Sequence, residues 1–275
     1  MGSGSYVLGD EGKKLAEERE RELSAARHLR GNPRVVELID AGYNTANEDS
    51  SHFCFVMEHV QGKTLEEHVV EGKRYTREDA EHLLRETLLG LADFHNVGLI
   101  HRDVTPHNIM LNDEGRKITL LDLGSIGDLF DESQSIGVGK FGYVAPEMLE
   151  FNAKPASDIY GLGRTLYRVL TRRNMVGKRE QPELLDNDFT DLREVYGDGL
   201  TDILVKMCKP ALDERYKTVY QVLDDLAAGH VTQPLVKVDD DLEQRVGQKW
   251  TTLGGYLSRL VTYPILGNAP PETRD

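Results

Sequence analysis

HRDVTPHNIML fills residues 101–111. Asp103 and Asn108 stand five residues apart, with Pro106 between them, just ahead of an apolar run. Asp, Pro and Asn are turn formers, so the stretch reads as a loop leading into a short strand. What such a loop serves depends on the chain to either side of it.

The surrounding chain has 275 residues, enough for one large domain or two small ones with a buried core. An apolar fraction of 39% with mixed charges indicates a globular protein. The net charge of −14 argues against a general binder of nucleic acid or anionic membrane. Any phosphate site must therefore be locally basic or use a metal. Cys54 and Cys208 lie in apolar patterns and read as buried thiols rather than a disulfide framework. No run of 18 apolar residues occurs, so no membrane span is expected. No signal pattern opens the chain, so a reducing, cytoplasmic setting is the expectation.

Upstream, residues 11–30 are nearly all good helix formers, and Gly31, Asn32 and Pro33 stop the pattern. VVELI (35–39) and HFCFVM (52–57) then read as strands of an antiparallel hairpin around a polar turn at 44–51. Thr76 with Asp79 starts a helix in the manner of a capping box. Leu84, Leu88, Leu91 and His95 share its face, and Gly98 fits its end. NIML and KITLL flank a DEG turn as a second hairpin. Residues 156–171, 199–208 and 218–228 read as helices. Helix, hairpin and a mostly helical body make an α+β class.

Five pieces occur in order: HRDVTPHN (101–108), DLG (122–124), GYVAPE (142–147), SDIYGLG (157–163) and DERY (213–216). With them the chain resembles the eukaryotic-type protein kinase family, and the VTP loop is similar to those of bacterial Ser/Thr kinases. The resemblance covers roughly residues 15–228. It implies a protein kinase-like fold with a complete helical C-lobe, and a cofactor pair of ATP and Mg²⁺. Asp103 looks like the catalytic base, and Asn108 and Asp122 look like the metal ligands. Met57 resembles the residue at the back of the adenine pocket, Glu58 and Val60 the hinge, and Met110 the residue under the adenine ring. Glu147 and Arg215 resemble the family's buried ion pair, and Asp158 the residue that ties a central helix to the catalytic loop. The GYVAPE segment and the Arg before Asp103 favour a protein substrate.

Two departures stand near the proposed base. Thr105 occupies the usual lysine position, and Lys140 the usual threonine position ahead of FGYVAPE. One reading has Lys140 offset the γ-phosphate charge from the other side; the other makes it a solvated loop lysine. In the family resembled, an Arg such as Arg102 often needs a phosphate on the activation segment, for which Ser133 and Ser135 are the candidates; the other reading is constitutive ordering, with Asp131 and Glu132 already supplying negative charge nearby.

The small lobe is where the pattern thins. Glu22 matches the helix glutamate that a strand lysine should pair with. Lys14 lies eight residues before it, ~12 Å along one helix axis, so the two do not pair in that way. Lys13 and Lys14 read instead as surface partners of Glu17 and Glu18. GSGSY is too short to build a phosphate lid and has linker composition. Four readings stay open: a truncated start, a minimal kinase, a kinase-like scaffold, or a C-terminal segment around Lys237 that completes the lobe. The expected division is a reduced N-lobe at 1–60, a C-lobe at 61–230 and a tail at 231–275. The expected partners are a protein substrate and a regulatory protein that completes the N-lobe. The alternative function is a binding module without an effective ATP lid.

Overall fold

In the computed structural model the described residues are 27–44, 52–112, 116–122, 127–128, 142–173 and 184–229. The chain divides into two compact units, Met1–Gln233 and Pro234–Asp275, and every described residue lies in the first. The expectations for the 11–26 helix, the glycine-rich start, Glu22, Ser133, Ser135, Lys140 and the tail fall outside the described residues, as does the Cys54 side chain.

Arg27 and His28 are helical and the chain turns at once after them, with Gly31 at φ +78°. The Asn32 side chain accepts the Arg34 amide and tightens that turn. The expected strand at 35–39 is displaced. Val35 forms a parallel bridge to Leu120, and the Val36 amide donates to the Leu120 carbonyl at 2.9 Å. Both valines are buried, whereas Ile39 is exposed. Two adjacent apolar side chains cannot both face one side of a half-buried strand. They staple the chain to a different sheet, and the strand proper runs Leu38–Asn44 (β1) with an irregularity at Leu38–Asp40. It pairs antiparallel with His52–Met57 (β2), as expected.

From β2 the chain passes through residues 58–62 to Lys63–Thr64 (β3). Gly62, at φ +130°, lies so close to Leu111 that a Cβ would sit 2.2 Å from its carbonyl oxygen, so only glycine fits. β3 pairs with Ile109–Leu111 (β5), which pairs in turn with Ile118–Leu120 (β6). Leu99–Ile100 (β4) pairs with Gly127–Asp128 (β7). That pairing brackets the 101–108 loop between two short sheets.

Helix α1 (Leu65–Val70) starts on a reciprocal capping box between Thr64 and Glu67. Helix α2 (Arg77–Asn96) starts on the expected box between Thr76 and Asp79. Its leucines at 84, 88 and 91 are wholly buried, each contributing about 2 kcal/mol of apolar burial. The helix ends at a Val97 cap with Gly98 at φ +78°. Helix α3 (Pro155–Thr171) is buried along most of its length. Helices α4 (Thr190–Tyr196), α5 (Asp198–Met207) and α6 (Val219–Ala228) complete the helical body. One continuous core runs from Leu29 and Val35 through α2 and α3 to α6. No helix among the described residues is long and apolar enough to cross a membrane.

A buried pair marks where α1 meets the following loop. Tyr75 and His68 are both buried, with the phenol oxygen 2.7 Å from His68 Nδ1. Burial pushes the phenol pKa up, so Tyr75 O–H donates and Nδ1 accepts. Burial holds the His68 pKa below its ordinary value, Lys73 and Lys63 lower it further, and Glu71 and Glu67 oppose. An imidazole that resists protonation when folded binds fewer protons than the unfolded chain does. Stability should thus be fully present above about pH 6.5 and fall as pH drops through that value. Melting temperatures measured from pH 7.5 to 5 should show that loss, and His68→Gln should flatten it.

Candidate active site

The 101–108 loop is shaped by a carboxylate beneath it. Asp158, buried near the start of α3, accepts the His101 amide through Oδ2 at 2.9 Å and the Arg102 amide through Oδ1 at 2.8 Å. Its Oδ2 also meets His95 Nε2 of α2 at 2.8 Å. The Thr165 hydroxyl, two turns on in α3, donates to the Val104 carbonyl at 2.9 Å. Arg102 is bent to φ +65°, and this conformation, rare for a side-chain-bearing residue, is held by those amide bonds. His101 is buried edge-on against Phe94 at 5.2 Å. Its Nε2 donates to the Leu121 carbonyl at 3.0 Å, which joins this loop to the one that carries Asp122.

Those supports place Asp103 and Asn108 together. Asn108 Nδ2 donates to Asp103 Oδ2 at 2.6 Å and to the Asp103 carbonyl at 2.9 Å. Both partners are acceptors, so the amide orientation is chemically determined and Asn108 Oδ1 is the oxygen left for another ligand. The Asn108 carbonyl accepts the Leu121 amide at 2.8 Å, which brings Asp122 alongside. Asp122 is at φ +60°, a second left-handed turn within the site. Thr105 is buried, and its hydroxyl has no hydrogen-bond partner.

The residues expected around adenine lie on one connected path. The Glu58 amide donates to the Glu37 carbonyl at 2.9 Å and its carboxylate accepts the Glu37 amide at 3.0 Å, so β2 leads into a braced segment. Val60 is half-buried against the core. Met110 in β5 pairs with Thr64 of β3, so the 58–62 segment and Met110 are joined through one sheet. Met57 is 42% exposed, more open than an ordinary core methionine.

Facing Asp103 is the Tyr143–Met148 segment. Arg102, Asp103 and Val104 line one wall of a narrow cleft, and Tyr143, Val144 and Met148 the other. Tyr143 is pushed up to about 12 by burial first and by Glu66 second, with Arg168 and Arg164 opposing. Arg168 of α3 pairs with Glu66 of α1 at 2.9 Å, a link that sequence patterns did not reveal because 102 residues separate the two. The expected Glu147–Arg215 pair is present as a two-pronged contact at 2.8 and 3.0 Å. Among the described residues no group of three His, Cys, Asp or Glu side chains converges on a metal position.

A helical body thus grips a strand-flanked loop that holds Asn108 against Asp103 and brings the loop of Asp122 alongside. Residues 8–230 match the protein kinase domain family, and the chain belongs to that family. It is 32% identical over 202 residues to the serine/threonine-protein kinase PEPKR2 of Arabidopsis thaliana, covering 73% of this chain and 41% of the relative. It is 26% identical over 261 residues to serine/threonine-protein kinase B of Synechocystis sp., covering 91% of this chain and 43% of that protein. The chain thus spans about two fifths of the length of these curated relatives. The solved structure of the Cydia pomonella granulovirus kinase PK-1 superposes with a TM-score of 0.60 at 16% identity, over 75% of this chain and 79% of that one. That likeness supports the fold.

Proposed function

We propose that this chain transfers the γ-phosphate of ATP to serine or threonine hydroxyls of proteins. The observation that carries the reading is the Asn108 amide clamped to Asp103 Oδ2, next to the loop of Asp122. Asp103 Oδ1 or Oδ2 accepts the proton of the substrate hydroxyl as its oxygen bonds to phosphorus. The bond from phosphorus to the β–γ bridging oxygen breaks, and ADP departs. Asn108 and Asp122 fit a hard divalent cation: two oxygen donors on adjoining loops leave room for phosphate oxygens and water. Mg²⁺ held there would neutralise phosphate charge. Asn108 also holds Asp103 in place through its amide N–H groups. The Glu58 carbonyl and Val60 amide, which take no backbone partner among the described residues, are the groups that would bond adenine, with Met57 and Met110 framing the ring. Glu22 keeps the role the resemblance implies, the helix acid that pairs with an ATP-binding lysine, and Lys140, on the reading that exchanges it with Thr105, would offset the γ-phosphate charge.

A second reading, a kinase-like binding module, draws on the exposed Val56 and Met57 of a two-stranded upper sheet. Thermal melts separate the two. ATP with Mg²⁺ at 100 times its dissociation constant should stabilise the chain by about 2.7 kcal/mol. Asp122→Ala should remove the Mg²⁺-dependent part of that rise. A melting curve indifferent to ATP and Mg²⁺ would leave only the binding-module reading.

A further inference from the structure

Two arginines lie wholly inside the helical body, and they are partnered differently. Arg215 meets a carboxylate. Arg164, in the middle of α3 and 0% exposed, has none among the described residues. Its Nε donates to the Gly142 carbonyl, and its Nη1 donates to the Tyr160 hydroxyl at 3.2 Å. The guanidinium carbon stands 5.4 Å from the centre of the Tyr160 ring. Nη2 is buried with no hydrogen-bond partner. The nearby Cys208 thiol is pushed up to about 12 by burial, with Arg164 and then Arg215 pulling the other way.

A buried cation with no anion among the described residues is an expensive way to fill a core position. An apolar side chain of similar volume would pack there at lower cost. What the arginine provides is a fixed hold on one backbone oxygen. That oxygen belongs to Gly142, directly before the Tyr143–Met148 wall of the cleft. The opposite wall, residues 102–104, is held by the same helix through Asp158 and Thr165. Gly161, between them, keeps the walls close: a Cβ there would sit 3.2 Å from the Val104 carbonyl and 3.5 Å from that of Tyr143.

We propose that Arg164 is a positioning residue that fixes the Gly142–Val144 wall against the Asp103 loop and so sets how a substrate peptide is presented to the base. The anchoring stands on the Arg164 contacts alone; its catalytic consequence rests on the kinase reading. Arg164→Met keeps length and volume while removing the donors and the charge. Its melting temperature should equal or exceed that of the parent. Amides of residues 142–144 should exchange hydrogen about tenfold faster, and peptide KM should rise about tenfold with kcat and ATP KM unchanged within about twofold. Arg164→Lys, which can still reach the carbonyl, should recover part of both effects. If Arg164→Met does not fold, Tyr160→Phe, which removes the Nη1 acceptor, gives the same readouts at smaller size. Unchanged exchange at 142–144 in a folded variant overturns the anchor, whatever the activity. Faster exchange in a chain whose parent transfers no phosphate retires the kinase reading and leaves the anchor standing.

Discussion

Asp103→Asn is expected to bind ATP with Mg²⁺ as the parent does and to transfer phosphate about 10³-fold more slowly. Removing a positioned base costs on the order of 10²–10⁴ in rate. A 10³-fold loss equals about 4 kcal/mol of transition-state stabilisation. The substitution is nearly isosteric, and one oxygen remains to accept from Asn108 Nδ2. What disappears is the proposed proton acceptor. Because that acceptor acts only in the chemical step, kcat should fall while nucleotide affinity stays put. Asn108→Ala should behave differently. It removes the proposed metal donor and the clamp on Asp103 together, so both Mg²⁺ dependence and rate should suffer.

Arg215→Met should be the most damaging single change to stability, at roughly 3–5 kcal/mol. All five guanidinium N–H groups of Arg215 are used. Two meet the Glu147 carboxylate, and the other three meet the carbonyls of Ala156, Pro210 and Lys209 at 2.7–2.9 Å. Substitution strands Glu147, 7% exposed, with the Ser157 hydroxyl at 2.6 Å as its remaining side-chain partner among the described residues. For a domain of this size that loss corresponds to roughly 10 °C in melting temperature. Glu147→Gln combined with Arg215→Met should cost less than the sum of the two single changes, because the second removes the charge the first left unpaired. The contrast with Arg164 is instructive. Both arginines are buried, yet removing the saturated one should lower the melting temperature while removing the unsaturated one should not.

The helical body was largely legible in the sequence, because its signals are local. Thr76 and Asp79 announce a helix start, Gly98 its end, and the leucine spacing its buried face; all three hold in the structure. The loop between Asp103 and Asn108 was legible as a motif, and the structure brings the two side chains within 2.6 Å. Asp158, expected to tie a central helix to the loop that begins at His101, accepts two of that loop's amides. The strand start was misplaced because Val35 and Val36 look like ordinary strand residues. Their partner, Leu120, lies 85 positions beyond Val35, and no local pattern encodes that pairing. Arg164 was passed over for a related reason. An arginine on an amphipathic helix ordinarily faces water, and only tertiary packing reveals that α3 is enclosed at that point. Cys208 shows the converse case, an apolar pattern that correctly placed a thiol in the core.

Incubating the chain with γ-labelled ATP, Mg²⁺ and two peptide pools, one offering only Ser and Thr and the other only Tyr, puts the catalytic reading to its sharpest trial. Label should appear on the Ser/Thr pool, vanish with Asp103→Asn, and stay near background on the Tyr pool. Nucleotide bound in calorimetry with no label on any peptide would mean that the Asp103–Asn108–Asp122 arrangement holds ATP without turning it over.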